Sequence, residues 1–482
     1  DPHQDPHPNP LPKGEGRTAQ SNGLSSSPTG RGARGEGGFD VVIGNPPYVR
    51  QETLGTQKEY FQQHYQTYHG MADLYTYFIE KGVNLLRTGG RFGYIVANKW
   101  MRANYGAPLR NWLIKQGLEA IIDFGDLPVF EQATTYPCIL LVTKHPTNEN
   151  ISITQVKTLD FSDLGVYKEL NQYLVPAISL GNNGWSLSNL SEIELQEKLL
   201  VKSASLSEFV NNGIYYGLKT ALNDAFIIST DLYREFLQKE PQSQEILKPF
   251  LMGRDIKRYQ PPSSDRYLIL IPKGWTNQHN NGKKNAWSWF ENNYPLIAAH
   301  LLPFASAAQK RLDKGDYWWE LRACDYYPEF EKHKIIIPTI VAKPSYILDE
   351  HGYFSNDKTS IIASDSKYLL GLLNSKVLGW AMSKTSSTKQ GGYFEYKPMY
   401  FSKLPIRTID FNDPADVKRH DRMVALVENM LALHKRLAAA GSPQEKELLQ
   451  RQIAYTDREI DALVYELYGL TDEEIRIVEG GA

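Results

Sequence analysis

The feature that constrains this chain most is a short apolar strand that runs directly into two prolines. The stretch reads Phe39-Asp40-Val41-Val42-Ile43-Gly44-Asn45-Pro46-Pro47-Tyr48. Three consecutive β-branched residues predict a central strand that is covered on both faces. The prolines cannot continue a ladder, and each restricts the residue before it to extended geometry. We therefore expect a rigid corner at the carboxyl edge of a strand, where open α/β sheets bind their ligands.

This corner resembles motif IV of the amino-methyltransferases in its Asn-Pro-Pro-Tyr form. The wider run GFDVVIGNPPYVR resembles the adenine-N6 DNA methyltransferases of the type IIG and TaqI-like groups. The resemblance implies that the catalytic residues are Asn45, Pro46, Pro47 and Tyr48, with no metal required. A structural turn without any site is the alternative reading, because short motifs recur by chance.

The residue types at the corner suit attack by an aromatic amine, whose lone pair is delocalised into its ring. Two acceptors, the Asn45 side-chain oxygen and the Pro46 carbonyl, would bind the amino hydrogens and free that lone pair. Preorganised dipoles of this kind contribute on the order of 3 kcal/mol each. Pro47 would stiffen the turn, and Tyr48 would stack on an extruded base for roughly 1–3 kcal/mol.

Helix and strand patterns alternate after the corner, as in a doubly wound sheet. They predict helices over 73–86 and 108–116 and strands over 91–97, 120–124 and 137–143. The first helix would bury Leu74, Phe78, Leu85 and Leu86. The runs GGRFGYIVANKW and PVFEQATTYPCILLVTK resemble later motifs of the same family, which implies that Phe130 is the second wall of the base pocket. A core-facing loop aromatic is an equal alternative for Phe130.

Residues 1–38 are rich in Pro, Gly, Ser and Arg and resemble translated bacterial repeat DNA, so we expect them to be disordered. In the resembled family a glycine-rich loop upstream of the corner binds S-adenosyl-L-methionine, the cofactor that the resemblance implies. No such loop is recognisable here, so the cofactor-binding residues stay unassigned. We expect a chain that lacks the first half of its sheet and exposes an apolar edge. Whether a separate chain supplies the missing half is left open by the sequence.

The middle of the sequence is basic and aromatic, with 22 Lys and Arg against 14 Asp and Glu between Lys248 and Lys403. Runs such as GIYYGLKTALNDAFI and FLMGRDIKRY resemble the TaqI-like C-terminal specificity domain, which implies double-stranded DNA with a flipped adenine as the partner. Phosphate contacts would come from Lys219, Arg254, Lys257 and Arg258. The alternative for each cation taken singly is an ordinary surface charge.

Apolar residues from Met423 to Leu467 recur at spacings of three and four, which predicts two antiparallel helices. The chain has only two cysteines and no apolar run long enough to cross a bilayer, so we expect neither a disulfide framework nor a membrane segment, and a cytoplasmic location.

The predicted fold class is α/β: the distal half of a Rossmann-like methyltransferase sheet (39–150), a connector (151–205), an α+β target-recognition domain (206–408) and a helical hairpin (412–482). The expected function is site-specific methylation of adenine N6 in DNA for restriction–modification or phage defence, by a truncated chain that is inactive alone. Two alternatives are a DNA-binding module without catalysis and a protein or RNA methyltransferase that shares the motif.

Overall fold

A computed structural model describes residues 38–130, 136–145, 148–180, 184–185, 187–282, 285–389 and 391–480. The predicted disorder of the N-terminal segment falls almost wholly outside these ranges. Six strands form the first sheet in the order β1-β2-β4-β3-β5-β6. They are β1 (Phe39–Gly44), β2 (Leu86–Ala97), β3 (Leu118–Asp123), β4 (Pro137–Thr143), β5 (Asn150–Gln155) and β6 (Tyr173–Pro176).

The first sheet is mixed rather than all parallel. β1 runs parallel to β2, whereas β4 lies antiparallel between β2 and β3. Four helices belong to this part of the chain: α1 (Gln57–His64), α2 (Tyr75–Asn84), α3 (Ala107–Leu113) and α4 (Leu164–Asn171). β5, β6 and the buried Trp185 extend the sheet and its core beyond residue 150, where the sequence predicted a connector.

β1 is an edge strand among the described residues, and the predicted burial on both of its faces is wrong. Val42 packs against the core, but Val41 is 56% and Ile43 77% exposed. No described strand lies beyond β1. The expectation of an exposed apolar edge is therefore confirmed for this part of the chain.

α2 buries a different face from the one predicted, although Leu86 of the predicted set is buried in β2 and Leu74 is partly buried. Tyr75, Ile79 and Val83 lie in the core, whereas Phe78 and Leu85 are each 39% exposed. Both sets have helical spacing, so periodicity alone could not choose between them.

Residues 203–407 form an α+β unit with two cores and four small sheets. Its strands are β7 (Ser203–Ser205), β8 (Ile214–Tyr216), β9 (Ile227–Ser229), β10 (Leu247–Leu251), β11 (Arg266–Ile269), β12 (Lys334–Pro338), β13 (Ile340–Val341), β14 (Ile347–Asp349), β15 (Phe354–Ser355), β16 (Thr359–Ile362), β17 (Thr388–Lys389), β18 (Tyr393–Glu395) and β19 (Pro405–Arg407). The helix that precedes the unit and those within it are α5 (Leu190–Leu200), α6 (Leu206–Phe209), α7 (Asn223–Phe226), α8 (Thr230–Lys239), α9 (Trp275–His279), α10 (Ala286–Asn293), α11 (Pro295–Leu301), α12 (Ala305–Gln309), α13 (Lys367–Leu373), α14 (Lys376–Thr385) and α15 (Pro398–Phe401).

The C-terminal helices confirm the predicted hairpin and add a third, short helix. They are α16 (Pro414–Ala439), α17 (Pro443–Tyr468) and α18 (Asp472–Glu479). α16 packs closely on α13, where a Cβ on Gly371 would lie 2.5 Å from the Met423 sulfur. No helix in the described ranges is long and apolar enough to span a bilayer.

Candidate functional site

The double-proline corner leaves the sheet at the carboxyl end of β1, as predicted. Asn45 and Pro47 are exposed, Pro46 is buried and Tyr48 is half-buried. The Tyr48 hydroxyl donates a 3.3 Å hydrogen bond to the Ile95 carbonyl on β2. Burial raises the pKa of this hydroxyl to about 12, so it stays protonated at neutral pH. The ring of Tyr48 is thus held in place by the neighbouring strand.

The Asn45 side chain is free to bind a ligand. Within the described ranges its amide has no hydrogen-bond partner and faces solvent. The two prolines that follow have no backbone N–H, so their backbone offers hydrogen-bond acceptors and no donors. The first predicted acceptor, the Asn45 side chain, is thus accessible, whereas the second belongs to the buried residue Pro46; the acceptor pair stays a prediction.

A layer of tyrosines backs the corner. The Tyr48 ring centroid lies 6.0 Å from that of Tyr75, whose hydroxyl is 3.1 Å from the Tyr105 hydroxyl. Burial raises the pKa of Tyr75 well above its ordinary value and that of Tyr105 to about 12, so both rings are neutral. Tyr105 also lines a cavity at the next strand ends, so these rings connect the corner to that cavity.

This cavity, of about 420 Å³, is called the junction cavity because the first sheet and the α+β unit meet there. Asn98 follows β2 and donates a 2.9 Å hydrogen bond to Asp123, which ends β3. The cations that line the cavity are Lys99, Arg102, Lys157 and Lys389. Asp123, Lys157 and Lys389 did not emerge from the sequence as site residues, although Asp123 and Lys157 each lie at or just after the end of a strand, a position that could have flagged them.

Two contacts hold the α+β unit against the first sheet at this junction. Arg102 donates a 3.0 Å hydrogen bond to the Ser386 carbonyl. The backbone N–H groups of Gly391 and Gly392 each donate to the Asp126 carboxylate at 3.2 Å. The loop that carries β17 and β18 therefore closes one side of the junction cavity.

Phe130 is half-buried at the end of the loop that follows β3, directly before residues 131–135, which lie outside the described ranges. Tyr48 has an aromatic neighbour in Tyr75 and not in Phe130 among the described ring pairs. Phe130 therefore makes no direct ring contact with Tyr48 among the described residues, and its role as the second wall of the base pocket stays a prediction.

A groove of about 820 Å³ crosses the α+β unit, and we call it the cationic groove. Four exposed cations line it: Arg254, Lys257, Lys343 and Lys358. Its described lining contains no carboxylate, and it presents the partly exposed side chains of Ile340 and Tyr393. Arg254 and Lys257 were expected from the sequence, whereas Lys343 and Lys358 join them only through the fold.

The other two predicted cations lie elsewhere. Lys219 forms a 2.9 Å ion pair with Asp313, on a neighbouring loop. Arg258 donates hydrogen bonds to the Asp457 carboxylate at 2.7 Å and to the Asn374 carbonyl at 2.6 Å. Because its guanidinium is engaged between two parts of the protein, the structure contradicts the phosphate contact predicted for Arg258.

The described residues do not fit a complete site for S-adenosyl-L-methionine. β1 has no described neighbour on its outer side, and no glycine-rich loop follows a described strand there. No group of three or more His, Cys, Asp or Glu within the described ranges could hold a metal ion.

Two parts of the chain are similar to known protein families. Residues 13–130 match the Eco57I restriction-modification methylase family, and residues 248–406 match the TaqI-like C-terminal specificity domain. The first match begins inside the segment for which repeat-derived disorder is predicted, and most of that segment lies outside the described residues.

The chain is 24% identical to the type II restriction enzyme and methyltransferase RM.Eco57I of Escherichia coli, over 92% of this chain and 47% of that protein. It is 23% identical to the type II methyltransferase M.PaeR7I of Pseudomonas aeruginosa, over 91% of this chain and 72% of the relative. The fold is similar to that of the type IIL restriction-modification enzyme MmeI, solved in complex with DNA, with a TM-score of 0.62 and 12% identity over 91% of this chain and 56% of that one. The chain thus spans about half the length of the first and the last of these proteins.

Proposed function

We propose that this chain, as a member of the type IIG and TaqI-like restriction–modification methyltransferases, holds the target base during the site-specific methylation of adenine N6 in duplex DNA. The observation that carries this proposal is the corner at β1. Asn45 offers a free side-chain acceptor there, beside a tyrosine ring that the next strand holds in place.

The corner residues act on the amine of the target base. The Asn45 oxygen and the Pro46 carbonyl accept one amino hydrogen each, which shifts the nitrogen toward a tetrahedral geometry and exposes its lone pair. Tyr48 stacks on the extruded base, and Pro47 keeps the acceptors fixed. S-adenosyl-L-methionine is the proposed methyl donor.

The cationic groove is the proposed binding surface for the DNA backbone. Its four exposed cations can neutralise backbone phosphates, and no carboxylate is present in the described lining. β17 and β18 link this groove to the junction cavity, because Tyr393 lines the groove while Lys389 and Glu395 line the cavity. A duplex in the groove therefore passes close to the place where the base would be extruded.

The donor site is proposed to come from a polypeptide segment that pairs with the free edge of β1. The exposed Val41 and Ile43 support this, because an apolar edge of this kind is a template for strand addition. The described residues alone would then bind DNA without transferring a methyl group.

The test combines the full chain with the N-terminal half of the E. coli relative, S-adenosyl-L-methionine and plasmid DNA, followed by mass spectrometry of the nucleosides. We expect N6-methyldeoxyadenosine from the mixture and none from the chain alone. Asn45→Ala should reduce the yield by at least 100-fold, in line with loss of a preorganised acceptor. Asn292→Ala, at an exposed position on α10, is the matched control. Methylated cytosine, or full activity of Asn45→Ala, would refute the proposal.

A DNA-binding module without catalysis is the second candidate function. The observation in its favour is the incomplete donor site among the described residues. Sequence-selective binding by the chain, together with no methylation under any complementation, would establish this candidate instead.

A further inference from the structure

Leu312 has the largest exposed fraction among the exposed large apolar side chains of the described residues, at 99%. It lies in the loop between α12 and the buried Trp319. Covering an exposed apolar side chain removes its surface from water, and this lowers the free energy of the system. The loop around it shows which surface that is.

The loop is fixed from inside by its neighbour Arg311, which is only 6% exposed. The Arg311 guanidinium donates hydrogen bonds to the carbonyls of Thr220 at 2.7 Å, Trp318 at 2.8 Å and Glu320 at 2.9 Å. It also lies 4.4 Å from the centre of the Phe226 ring. The buried anchor holds the loop so that the next side chain points away from the protein.

A second anchor fixes the far side of the loop. The Glu320 carboxylate is fully buried and accepts hydrogen bonds from the backbone N–H groups of Asp316 at 2.8 Å and Thr276 at 3.1 Å. The tip is therefore preorganised, so little conformational entropy remains to be lost when Leu312 binds something.

One ion pair and one β-bridge connect the loop to the lining of the cationic groove. Asp313, next to Leu312, forms a 2.9 Å ion pair with Lys219. The residue before Lys219, Leu218, forms a β-bridge with Asn356, which lines the groove. Lys310 and Lys314 flank the tip and are exposed. The tip thus combines an apolar side chain with two exposed lysines, and the carboxylate of the neighbouring Asp313 is paired with Lys219. An apolar side chain between cations of this kind fits a polyanion with an apolar interior, which is a base-paired duplex.

We propose that Leu312 is a wedge that inserts between two stacked base pairs of the duplex in the cationic groove. The proposal rests on the proposed function, because that places duplex DNA in the groove. Apolar side chains of this size unstack and kink base steps when they enter a groove of the duplex. Unstacking a step near the target makes the extrusion of a base less costly.

The test uses 30-base-pair duplexes that the full chain recovers from a randomised pool, and it measures Kd by fluorescence anisotropy. Each duplex is also made with one abasic site, moved stepwise through the recovered sequence, because an abasic site removes the stacking that the wedge must break. The variant is Leu312→Ala. Ile178→Ala, at a position that is 95% exposed in the first part of the chain, is the matched control.

We expect Leu312→Ala to weaken binding to the intact duplexes about tenfold, because the variant loses the apolar contact that offsets the cost of unstacking the base step. An abasic site at one or two adjacent positions should restore the affinity of Leu312→Ala to within about twofold of that of wild type for the intact duplex. Ile178→Ala should bind as wild type does, and Leu312→Phe should keep most of the affinity.

Equal binding of Leu312→Ala and wild type to intact duplexes would overturn the wedge, and so would loss of affinity that no abasic position restores. In both cases the binding of wild type still supports duplex DNA as the ligand. If wild type recovers no duplex from the pool at low salt, the proposed function fails together with the wedge.

Discussion

The Arg258 guanidinium donates a 2.7 Å hydrogen bond to the Asp457 carboxylate, across 199 residues of sequence. This contact joins the α+β unit to α17, and the second hydrogen bond of Arg258, to Asn374, reaches the end of α13. The next residue, Tyr259, is fully buried beside His434 of α16 and has a positive φ of 59°. A non-glycine residue in that conformation indicates a backbone that its surroundings hold firmly. The helical hairpin is thus a structural part of the specificity unit.

Arg258→Ala should destabilise the protein and leave its affinity for DNA nearly unchanged. Loss of a charge-assisted, partly buried hydrogen-bond pair should lower the free energy of unfolding by about 1–3 kcal/mol. Arg254→Ala, in the cationic groove, should do the reverse and reduce the slope of log K against log salt by about 1. Urea unfolding and anisotropy titrations in rising KCl separate the two effects. A reduced salt slope for Arg258→Ala would contradict this assignment.

The buried ion pair between Lys334 of β12 and Asp349 of β14 should dominate the stability of its sheet. Both side chains are fully buried, and burial lowers the pKa of the Lys334 ammonium. Asp349→Ala leaves that ammonium without its partner and should lower the free energy of unfolding by about 3–5 kcal/mol. Chemical denaturation of wild type and variant measures the difference.

Two further variants test the cause of that loss. Glu235→Ala breaks the exposed pair with Lys239 and should change the stability by less than about 1 kcal/mol. The double variant Lys334→Met, Asp349→Leu should recover more than half of the loss, because it removes the buried charge along with its partner. A double variant as unstable as Asp349→Ala would show that the two N–H groups bound by Asp349, of His351 and Tyr353, matter more than the charge.

Asp416, at the start of α16, should make stability depend on pH in the acid range. The hydrogen bond from Arg419 is the largest cause that lowers the pKa of Asp416 from 3.8 to about 2, and Arg407 acts in the same direction. Because the folded pKa is below the unfolded one, the stabilisation is fully present above about pH 4–5 and is lost as the pH falls to 2. Urea unfolding between pH 6 and 2 should show wild type losing about 1–2 kcal/mol more than Asp416→Asn over this range. Parallel curves would contradict the prediction.

The sequence predicted the local elements of the first sheet well, because each depends on a continuous run of residues. β1 ends at the double proline, and β4 has the predicted bounds of 137–143. Asn45 is exposed at this corner, whereas the hydrogen bond of Tyr48 to β2 was not predicted, and the roles of both residues stay predictions. Proline geometry and β-branched composition act within a few residues, so they indicate where a strand lies and ends, whereas the predicted burial of β1 depended on its neighbours and was wrong.

The features that the sequence missed depend on contacts between distant segments. The face of α2 was ambiguous because Phe78 and Ile79 belong to two sets with the same period. Arg258 resembled a DNA contact until its partner in α17 was known. The cationic groove gains Lys343 and Lys358 from loops that follow different strands, and no local pattern connects them with Arg254.

The ring of Tyr48, and not its hydroxyl, should be what methylation needs. The hydroxyl is occupied by a 3.3 Å hydrogen bond to the Ile95 carbonyl, and burial keeps it protonated with a pKa of about 12. Tyr48→Phe keeps the stacking face and loses one long hydrogen bond, so the complemented enzyme should keep its kcat/KM within about threefold of wild type. Tyr48→Ala removes the stack and should lower kcat/KM by about 10–100-fold, in line with 1–3 kcal/mol per stacked base. Steady-state methylation of a short duplex measures both.

Because wild type and Tyr48→Phe both lack an ionisable group near pH 7 at this position, their pH profiles between 6 and 9 should coincide. A profile that shifts in Tyr48→Phe, or equal losses in the two variants, would show that the hydroxyl takes part in the reaction.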